Sequence, residues 1–198
     1  MTAPASAIVV AGGRSSRLGQ DKRQLRLTSS RTLLEETIER VSALADDVVV
    51  VASDVFVDAG SKVRFVPDPL PGAGPLNGLC GGLSAVQNQY AIAVACDLPF
   101  LSVRLLRALL DFPRDFDLLV PRRADGTLEM LQAVYCQTCL DAMRRRLSAG
   151  RLKLADLVED VKVRFVDEVD LLPYDPELRS FLNVNTPRDL ATIMSMLP

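Results

Sequence analysis

The order of hydrophobic and polar residues along the chain predicts strands that alternate with helices. Runs of consecutive apolar residues at 7–11 and 47–52 are typical of strands buried on both faces of a parallel sheet. Apolar residues three and four positions apart at 32–44 are typical of an amphipathic helix. The same criteria predict strands at 62–66, 90–96, 116–120, 128–135 and 161–166, and helices at 76–89, 103–110, 138–147, 152–158 and from Thr186 onwards.

This alternation predicts one α/β domain over residues 1–198, with a mostly parallel, Rossmann-like sheet and helices on both of its faces. In such sheets a ligand binds beyond the carboxyl ends of the strands. Gly12, which follows the first strand, and Asp97, which follows the strand at 90–96, are therefore expected to lie at the same edge of the sheet.

The segment after the first strand suits a polyphosphate. Glycines let the backbone approach a ligand closely, and hydroxyls and cations beside them bind phosphate oxygens. The alternative is a glycine-containing turn with solvated basic residues. The dinucleotide pattern G-x-G-x-x-G and the P-loop pattern do not match here. The residues that combine these properties within a short stretch are Gly12, Gly13, Ser15, Ser16, Arg17 and Lys22.

Asp97 is the candidate metal ligand. It ends an apolar strand, where an acid would be half buried and would face the crevice, and such a position favours a divalent cation such as Mg²⁺. The alternative is a carboxylate that caps the following helix. Beside a polyphosphate-binding loop, the metal interpretation is the better one.

The composition excludes several kinds of chemistry. The sequence contains no histidine, so it can hold neither a Ser-His-Asp triad nor a histidine-ligated zinc site. Its four cysteines include one C-x-x-C pair without a second pair at metal-binding spacing, which predicts free thiols in a reducing compartment. A net charge of −2 argues against a nucleic-acid partner. No apolar segment is long enough for a membrane span and no signal peptide is evident, so we expect a cytoplasmic protein.

Three segments resemble signatures of the MobA-like nucleotidyltransferase family. Residues 10–22, V-A-G-G-R-S-S-R-L-G-Q-D-K, resemble L-A-G-G-x-S-x-R-M-G-x-D-K, and residues 96–101 resemble C-D-x-P-F-L. Residues 181–190, F-L-N-V-N-T-P-R-D-L, resemble F-x-N-x-N-T-P-E-D-L. Related sugar and cytidyl transferases tend to carry aspartate at Asn183 and Asn185. The asparagine pair therefore points to the molybdenum cofactor guanylyltransferases within this family.

The resemblance implies a fold of the nucleotide-diphospho-sugar transferase type and transfer of GMP from GTP to the phosphate of molybdopterin, with release of pyrophosphate. It implies Mg²⁺ bound by Asp97, catalytic roles for Arg17, Lys22 and Asp97, and acceptor binding by Asn183 and Asn185. It also implies transient contact with the proteins that make and receive the cofactor. The nucleotide-binding positions that it implies are Val10, Ala11, Gly12, Gly13, Ser15, Lys22, Asp68 and Asp97.

Two alternatives stay open from the sequence. The same scaffold serves other nucleotidyltransferases, such as cytidylyl and sugar-phosphate transferases, and nucleotide preference separates these. The chain could also be a nucleotide-binding regulator without catalysis, because the family's Q-P-L-H-A-L-Y segment reads E-M-L-Q-A-V-Y at residues 129–135. For Asp68, the alternative to nucleotide contact is an ordinary loop acid between two prolines.

Overall fold

A seven-stranded sheet organises the part of the chain that the structure describes. The structure is a computed structural model and describes residues 4–12, 21–27, 31–52, 62–69 and 74–197. The order of strands across the sheet is β3-β2-β1-β4-β6-β5-β7. β6 runs antiparallel to both of its neighbours and the other pairs are parallel, which confirms the predicted mostly parallel α/β fold. The strands are β1 Ser6–Val10, β2 Asp47–Val51, β3 Val63–Val66, β4 Tyr90–Ala95, β5 Leu118–Arg122, β6 Gln132–Cys136 and β7 Val163–Asp167.

The described residues also form six α-helices and three short 3₁₀ helices. The α-helices are α1 Leu33–Ser42, α2 Pro75–Ala85, α3 Val103–Leu110, α4 Cys139–Ser148, α5 Glu168–Leu171 and α6 Pro187–Ser195. The 3₁₀ helices are Lys22–Gln24, Leu154–Glu159 and Arg179–Phe181. None of the described helices has the length and hydrophobicity that crossing a lipid bilayer requires.

The predicted helices are present at the predicted positions, but the ends of several of them differ from the prediction. α3 has the predicted bounds, whereas α2 ends at Ala85 and not at residue 89. It ends early because Gln87 N donates to Asp47 Oδ2 at 2.8 Å and Asn88 N donates to Ser6 Oγ at 3.2 Å, so these amides are satisfied outside the helix. The α-helix predicted at 152–158 was wrong in type, since the structure has a 3₁₀ helix there. Its buried residues, Leu154 and Leu157, are three apart, which is the 3₁₀ repeat.

Strand boundaries moved where a turn or a neighbouring strand decides them. β6 begins at Gln132 and not at residue 128, because Gln132 N donates to the Glu129 carbonyl at 3.0 Å and closes a turn. β5 and β7 each extend beyond their predicted ends and pair in parallel as far as Arg122 and Asp167. The extension of β5 and β7 comes from pairing between distant segments, which a local hydrophobic pattern does not contain.

The core consists of apolar layers on the two faces of the sheet. Ala7 and Val9 of β1 pack in the layer that also contains buried residues of α1 and α3. Ile8 and Val10 pack in the opposite layer, with α2 and α4. At Gly82 a Cβ would lie 2.5 Å from Ile8 Cγ2, so the glycine lets α2 lie directly against β1. This close approach fixes α2 relative to the strand that leads to Gly12.

Candidate active site

A cavity of about 530 Å³ lies at the edge where β1 and β4 end and β6 begins. Val10 pairs with Ala95, so the residues that follow both strands emerge side by side, as predicted. The Cys96 amide continues the pairing by donating to Val10 O at 3.3 Å. The lining residues are Val10, Ala11, Gly12, Lys22, Arg23, Asp68, Gly74, Pro75, Gly78, Ala95, Cys96, Asp97, Leu98, Glu129, Leu131, Gln132, Phe181 and Asn183.

Lys22, Asp97 and Asn185 form a polar cluster at this cavity. Lys22 Nζ lies 3.1 Å from Asp97 Oδ2, and the two side chains are 17% and 19% exposed. Lys22 Nζ also donates to Asn185 Oδ1, which is 163 positions away in the sequence. Two predicted catalytic residues and one predicted acceptor-binding residue are thus in direct contact. In this arrangement the Asp97 carboxylate balances the lysine charge, and the Asn185 amide oxygen accepts a hydrogen bond from the lysine.

The lysine is positioned by the short 3₁₀ helix that it begins. Asp21 precedes this helix and accepts from the backbone N of Arg23 at 3.0 Å and from its Nη2 at 2.6 Å. The hydrogen bond from the Arg23 side chain holds the pKa of Asp21 below its ordinary value, although burial opposes the shift. Asp21 is therefore ionised at neutral pH and fixes the turn that presents Lys22 and Arg23 to the cavity.

Asn183 and Asn185 are placed by the segment that leads into α6. Val184 N donates to the Asp97 carbonyl at 3.0 Å, and the Val184 side chain is fully buried. Asp189 Oδ2 accepts from the amides of Asn185 and Thr186 at 3.0 and 2.8 Å, and these backbone hydrogen bonds lower its pKa. Thr186 and Asp189 form a capping box at the start of α6. Asn183 lines the cavity, whereas Asn185 is not among the lining residues and contacts Lys22.

Asp68 lies at the other end of the cavity, next to Gly12. Its residue is 9% exposed, and its Oδ1 accepts from Asn77 Nδ2 at 2.6 Å. A Cβ on Gly12 would lie 2.9 Å from Asp68 Oδ2, so this position requires glycine for the approach. Val10 and Ala11 line the same end. The predicted nucleotide-binding positions Gly13 and Ser15, and the predicted catalytic residue Arg17, lie outside the described residues.

The N-terminus of α2 adds backbone donors that sequence reasoning missed. Gly74, with φ of +85°, precedes Pro75 at the first helical position, and no side chain caps this end. Gly74, Pro75 and Gly78 all line the cavity. The first amides of a helix and its dipole favour an anion such as phosphate. The Gly-Pro dipeptide before an apolar helix was the sequence signal for this helix start.

Glu129 and Gln132 are further cavity residues for which the sequence analysis made no assignment. Arg123 Nη1 lies 3.6 Å from Glu129 Oε1. The Arg123 Nε donates to Glu168 Oε2 at 2.7 Å, and its guanidinium lies 5.2 Å from the Phe181 ring. Burial raises the pKa of Glu129, and the charge of Arg123 opposes this shift. The sequence signal was the departure at 129–135 from the family segment.

Cys96 lines the cavity but is unsuited to nucleophilic chemistry. Burial, together with the neighbouring Asp97 charge, raises the pKa of its thiol to about 12, so it stays protonated at neutral pH. All four cysteines are buried and free, which confirms the prediction from their spacing. Among the described residues, no group of three or more acidic or cysteine side chains is arranged to hold a metal ion.

Comparison with known proteins identifies the family. The family model described as the MobA-like NTP transferase domain matches residues 7–163. The chain belongs to this family. The matched range contains both ends of the cavity and Asp97, and it ends before Asn183.

Named relatives are similar over nearly the whole chain. A probable molybdenum cofactor guanylyltransferase from Chloroflexus aggregans is 38% identical, with 97% of this chain and 94% of the relative covered. A molybdenum cofactor guanylyltransferase from Desulfosudis oleivorans is 33% identical, with 92% and 91% covered. The crystal structure of molybdopterin-guanine dinucleotide biosynthesis protein A from Archaeoglobus fulgidus has a TM-score of 0.83 at 26% identity, with 96% of this chain and 97% of that chain covered.

Proposed function

We propose that the protein transfers GMP from GTP to the phosphate of molybdopterin and releases pyrophosphate. The observation that carries this proposal is the cluster of Lys22, Asp97 and Asn185 between the Gly12 end of the cavity and Asn183. The names of the similar proteins support guanylyl transfer to the molybdenum cofactor. The asparagine pair favours this reaction over cytidylyl or sugar-phosphate transfer.

The chemistry of this reaction suits a site without histidine. A phosphate monoester has a second pKa of about 6, so the attacking phosphate is largely ionised at neutral pH and needs no general base. The barrier is electrostatic, because two anions approach each other and negative charge moves to the leaving pyrophosphate. Lys22 would exchange its contact with Asp97 for phosphate oxygens when the triphosphate binds. Arg17 and the backbone around Gly12 and Gly13 would contact the same triphosphate.

The residues present fit a magnesium ion. Mg²⁺ in phosphate-transfer sites is held by one or two carboxylates together with substrate phosphates and water. Asp97 would be the protein ligand. Its carboxylate is partly exposed at the cavity wall and is paired with the flexible side chain of Lys22. When bound, Mg²⁺ would neutralise phosphate charge as a Lewis acid. Displacing Lys22 from Asp97 would at the same time release the lysine charge for the substrate.

The two substrates would occupy opposite ends of the cavity. Val10, Ala11, Gly12, Ser15 and Asp68 would bind the nucleotide, together with Lys22 and Asp97 at the reacting phosphates. Asn183 would bind the acceptor, and Asn185 would act through Lys22, whose Nζ it accepts from. We also propose a cytoplasmic location, which four free buried thiols support, and transient contact with proteins that make or receive the cofactor.

Turnover by wild type, Asp97→Asn and Lys22→Met tests the proposal. The assay measures pyrophosphate release from GTP, ATP, CTP and UTP with molybdopterin present. We expect a Mg²⁺-dependent preference for GTP, and a fall in kcat/KM of roughly 100-fold or more in each variant, because one lost preorganised contact costs about 2.7–4 kcal/mol. The fold should persist, since the bond that docks Val184 uses the Asp97 backbone.

Asp141→Asn is the matched control, because it removes an aspartate charge from a side chain that is 82% exposed on α4. Its turnover should equal that of wild type. A folded Asp97→Asn protein with near-normal turnover would contradict the proposed role of Asp97. A preference for CTP would agree with the proposed site but would contradict GTP as the substrate. Nucleotide binding without pyrophosphate release with molybdopterin would favour the regulator.

A further inference from the structure

Glu129 lines the cavity on the side of β4 that is opposite to Gly12. In the sheet, β1 leads to Gly12 on one side of β4, and β6 begins just after Glu129 on the other side. Asp97, which follows β4, therefore lies between Gly12 and Glu129 in the order of the strands. The backbone of Glu129 is held at both ends, since its N donates to Pro121 O at 3.0 Å and its O accepts from Gln132 N at 3.0 Å. The carboxylate is thus attached to a fixed part of the cavity wall.

The Glu129 carboxylate is shielded from water but only weakly compensated. Its side chain is 23% exposed, and among the described residues its ionic partner is Arg123, at 3.6 Å from Nη1 to Oε1. Arg123 makes a shorter contact with Glu168, at 2.7 Å from Nε to Oε2. Burial raises the pKa of Glu129 more than Arg123 lowers it. A ligand with two N–H donors would give this carboxylate shorter hydrogen bonds than its 3.6 Å contact with Arg123.

Gln132 provides a second, independent indication of a ligand. The residue is 1% exposed and lines the cavity. Its Nε2 donates to Ser180 O at 2.8 Å, and this contact fixes which end of the amide is the oxygen. In the described part of the chain, Gln132 Oε1 has no hydrogen-bond partner. A buried acceptor in a folded protein is normally satisfied, so a donor from a substrate, or from a water ordered with it, belongs here.

The chemistry of the acceptor selects what Glu129 can bind. The phosphate and the dithiolene of molybdopterin are anionic, and a carboxylate repels both. The pterin ring carries a 2-amino group beside a ring N–H, which is a neutral edge of two donors that matches the two oxygens of a carboxylate. We propose that Glu129 binds this donor edge of the pterin and thereby determines acceptor specificity. This inference rests on the proposed function, because it names how the acceptor of that reaction is held.

Guanine presents the same donor edge, so the shared chemistry is that of a 2-amino-4-oxopyrimidine. The position of Glu129 decides between the two sources. Gly12 and Asp68, at the nucleotide end, lie across Asp97 from Glu129 in the strand order. A guanine held at the Gly12 end would leave the edge at Glu129 to the acceptor.

The test measures KM for GTP and for molybdenum-loaded molybdopterin separately in the full-length wild type, Glu129→Gln and Glu129→Leu. Glutamine keeps one acceptor oxygen and turns an amide donor towards the second donor of the ligand, whereas leucine keeps no acceptor. We expect the acceptor KM to rise about 10-fold in Glu129→Gln and about 100-fold in Glu129→Leu, with kcat and the KM for GTP within about threefold. If the leucine variant does not fold, the glutamine variant carries the test.

A second readout needs no change in turnover. 6-Hydroxymethylpterin should compete with the acceptor in wild type at least about tenfold better than 6-hydroxymethyllumazine, in which an oxo group replaces the 2-amino donor. The difference should disappear in Glu129→Leu. Equal competition by the two compounds in wild type would overturn the proposal.

Glu168→Gln is the matched control, since it removes the closer partner of Arg123 and lies outside the cavity lining. It should leave the acceptor KM unchanged. A comparable rise there would show that Glu129 acts only through Arg123 and would overturn the proposal. An unchanged acceptor KM in active Glu129 variants would also overturn the proposal. A changed preference of these variants for GTP over XTP would overturn it as well. Wild type that binds GTP but forms no dinucleotide would instead refute the proposed function.

Discussion

The substitution Gly12→Ala tests how closely the end of β1 approaches Asp68. A Cβ at this position would lie 2.9 Å from Asp68 Oδ2, which is 0.5 Å inside the ordinary contact distance of 3.4 Å. Gly12 is not among the residues with positive φ, so alanine adds no backbone strain there. The carboxylate must therefore move, and moving it weakens the 2.6 Å hydrogen bond that Asn77 donates.

We expect Gly12→Ala to destabilise the protein by about 1–3 kcal/mol, which is the cost of overpacking or of leaving one buried donor unsatisfied. For a protein of this size the melting temperature should fall by about 2–4 °C per kcal/mol. Thermal unfolding by circular dichroism measures this directly. Nucleotide affinity should also decrease, because the displaced Asp68 narrows that end of the cavity.

A double-mutant cycle with Asp68→Ala isolates the contact. In that background the clash is absent, and Gly12→Ala should be neutral or stabilising by about 0.4–1 kcal/mol, since alanine restricts the unfolded chain more than glycine does. If Gly12→Ala costs the same free energy in both backgrounds, its cost does not come from contact with Asp68. A Gly12→Ala protein as stable as wild type would also contradict the close approach of Gly12 to Asp68.

Three further outcomes follow from the same structure. Burial opposes ionisation of Asp47, but its hydrogen bonds and the charge of Arg64 hold its pKa below the ordinary value. Asp47→Asn should therefore lower the unfolding free energy at pH 7. The difference in unfolding free energy between variant and wild type should shrink as the pH falls below about 4, as measured by urea unfolding across pH. Gly82→Ala places a Cβ 2.5 Å from Ile8 Cγ2 and should cost about 1–3 kcal/mol in the same assay, so an unchanged unfolding free energy would contradict the packing of α2 on β1. The Cys96 thiol, with a pKa of about 12 caused by burial, should resist a thiol reagent at pH 8 until the protein is unfolded, and rapid labelling of the folded protein would contradict its burial.

The sequence was sufficient for the layers of this fold because each layer has a local signature. The apolar runs at 47–51 and 90–95 became fully paired central strands, and the 3.6-residue pattern at 103–110 became α3 with the same bounds. The antiparallel direction of β6 was not predictable in this way, since its pairing with β4, which aligns Tyr90 with Cys136, joins segments far apart in the chain. The turn from Glu129 to Gln132 is local, but the apolar pattern at 128–135 does not show it.

The meeting of Gly12 and Asp97 at one edge followed from the sheet rule, and the structure brings both to one cavity. The contact between Lys22 and Asn185 did not follow from any rule, because it depends on where the C-terminal segment crosses the sheet edge. That crossing is set by the hydrogen bond from Val184 N to Asp97 O and by the packing of Val184 in a small cluster with Leu33 and Ile193. A local motif identifies such residues as special but does not show what they touch.

The difference between asparagine and aspartate at position 185 has a direct electrostatic meaning in this cluster. Lys22 carries one positive charge and Asp97 one negative charge, so with the neutral amide of Asn185 the three side chains sum to zero. An aspartate at position 185 would make the sum −1, next to the cavity that must accept two phosphate-bearing substrates, and it would hold Lys22 more tightly against two carboxylates. A second carboxylate would also increase the affinity of the cluster for a divalent cation. The asparagine thus places no second carboxylate on Lys22 at this position, so a triphosphate that recruits the lysine has no carboxylate of residue 185 to displace.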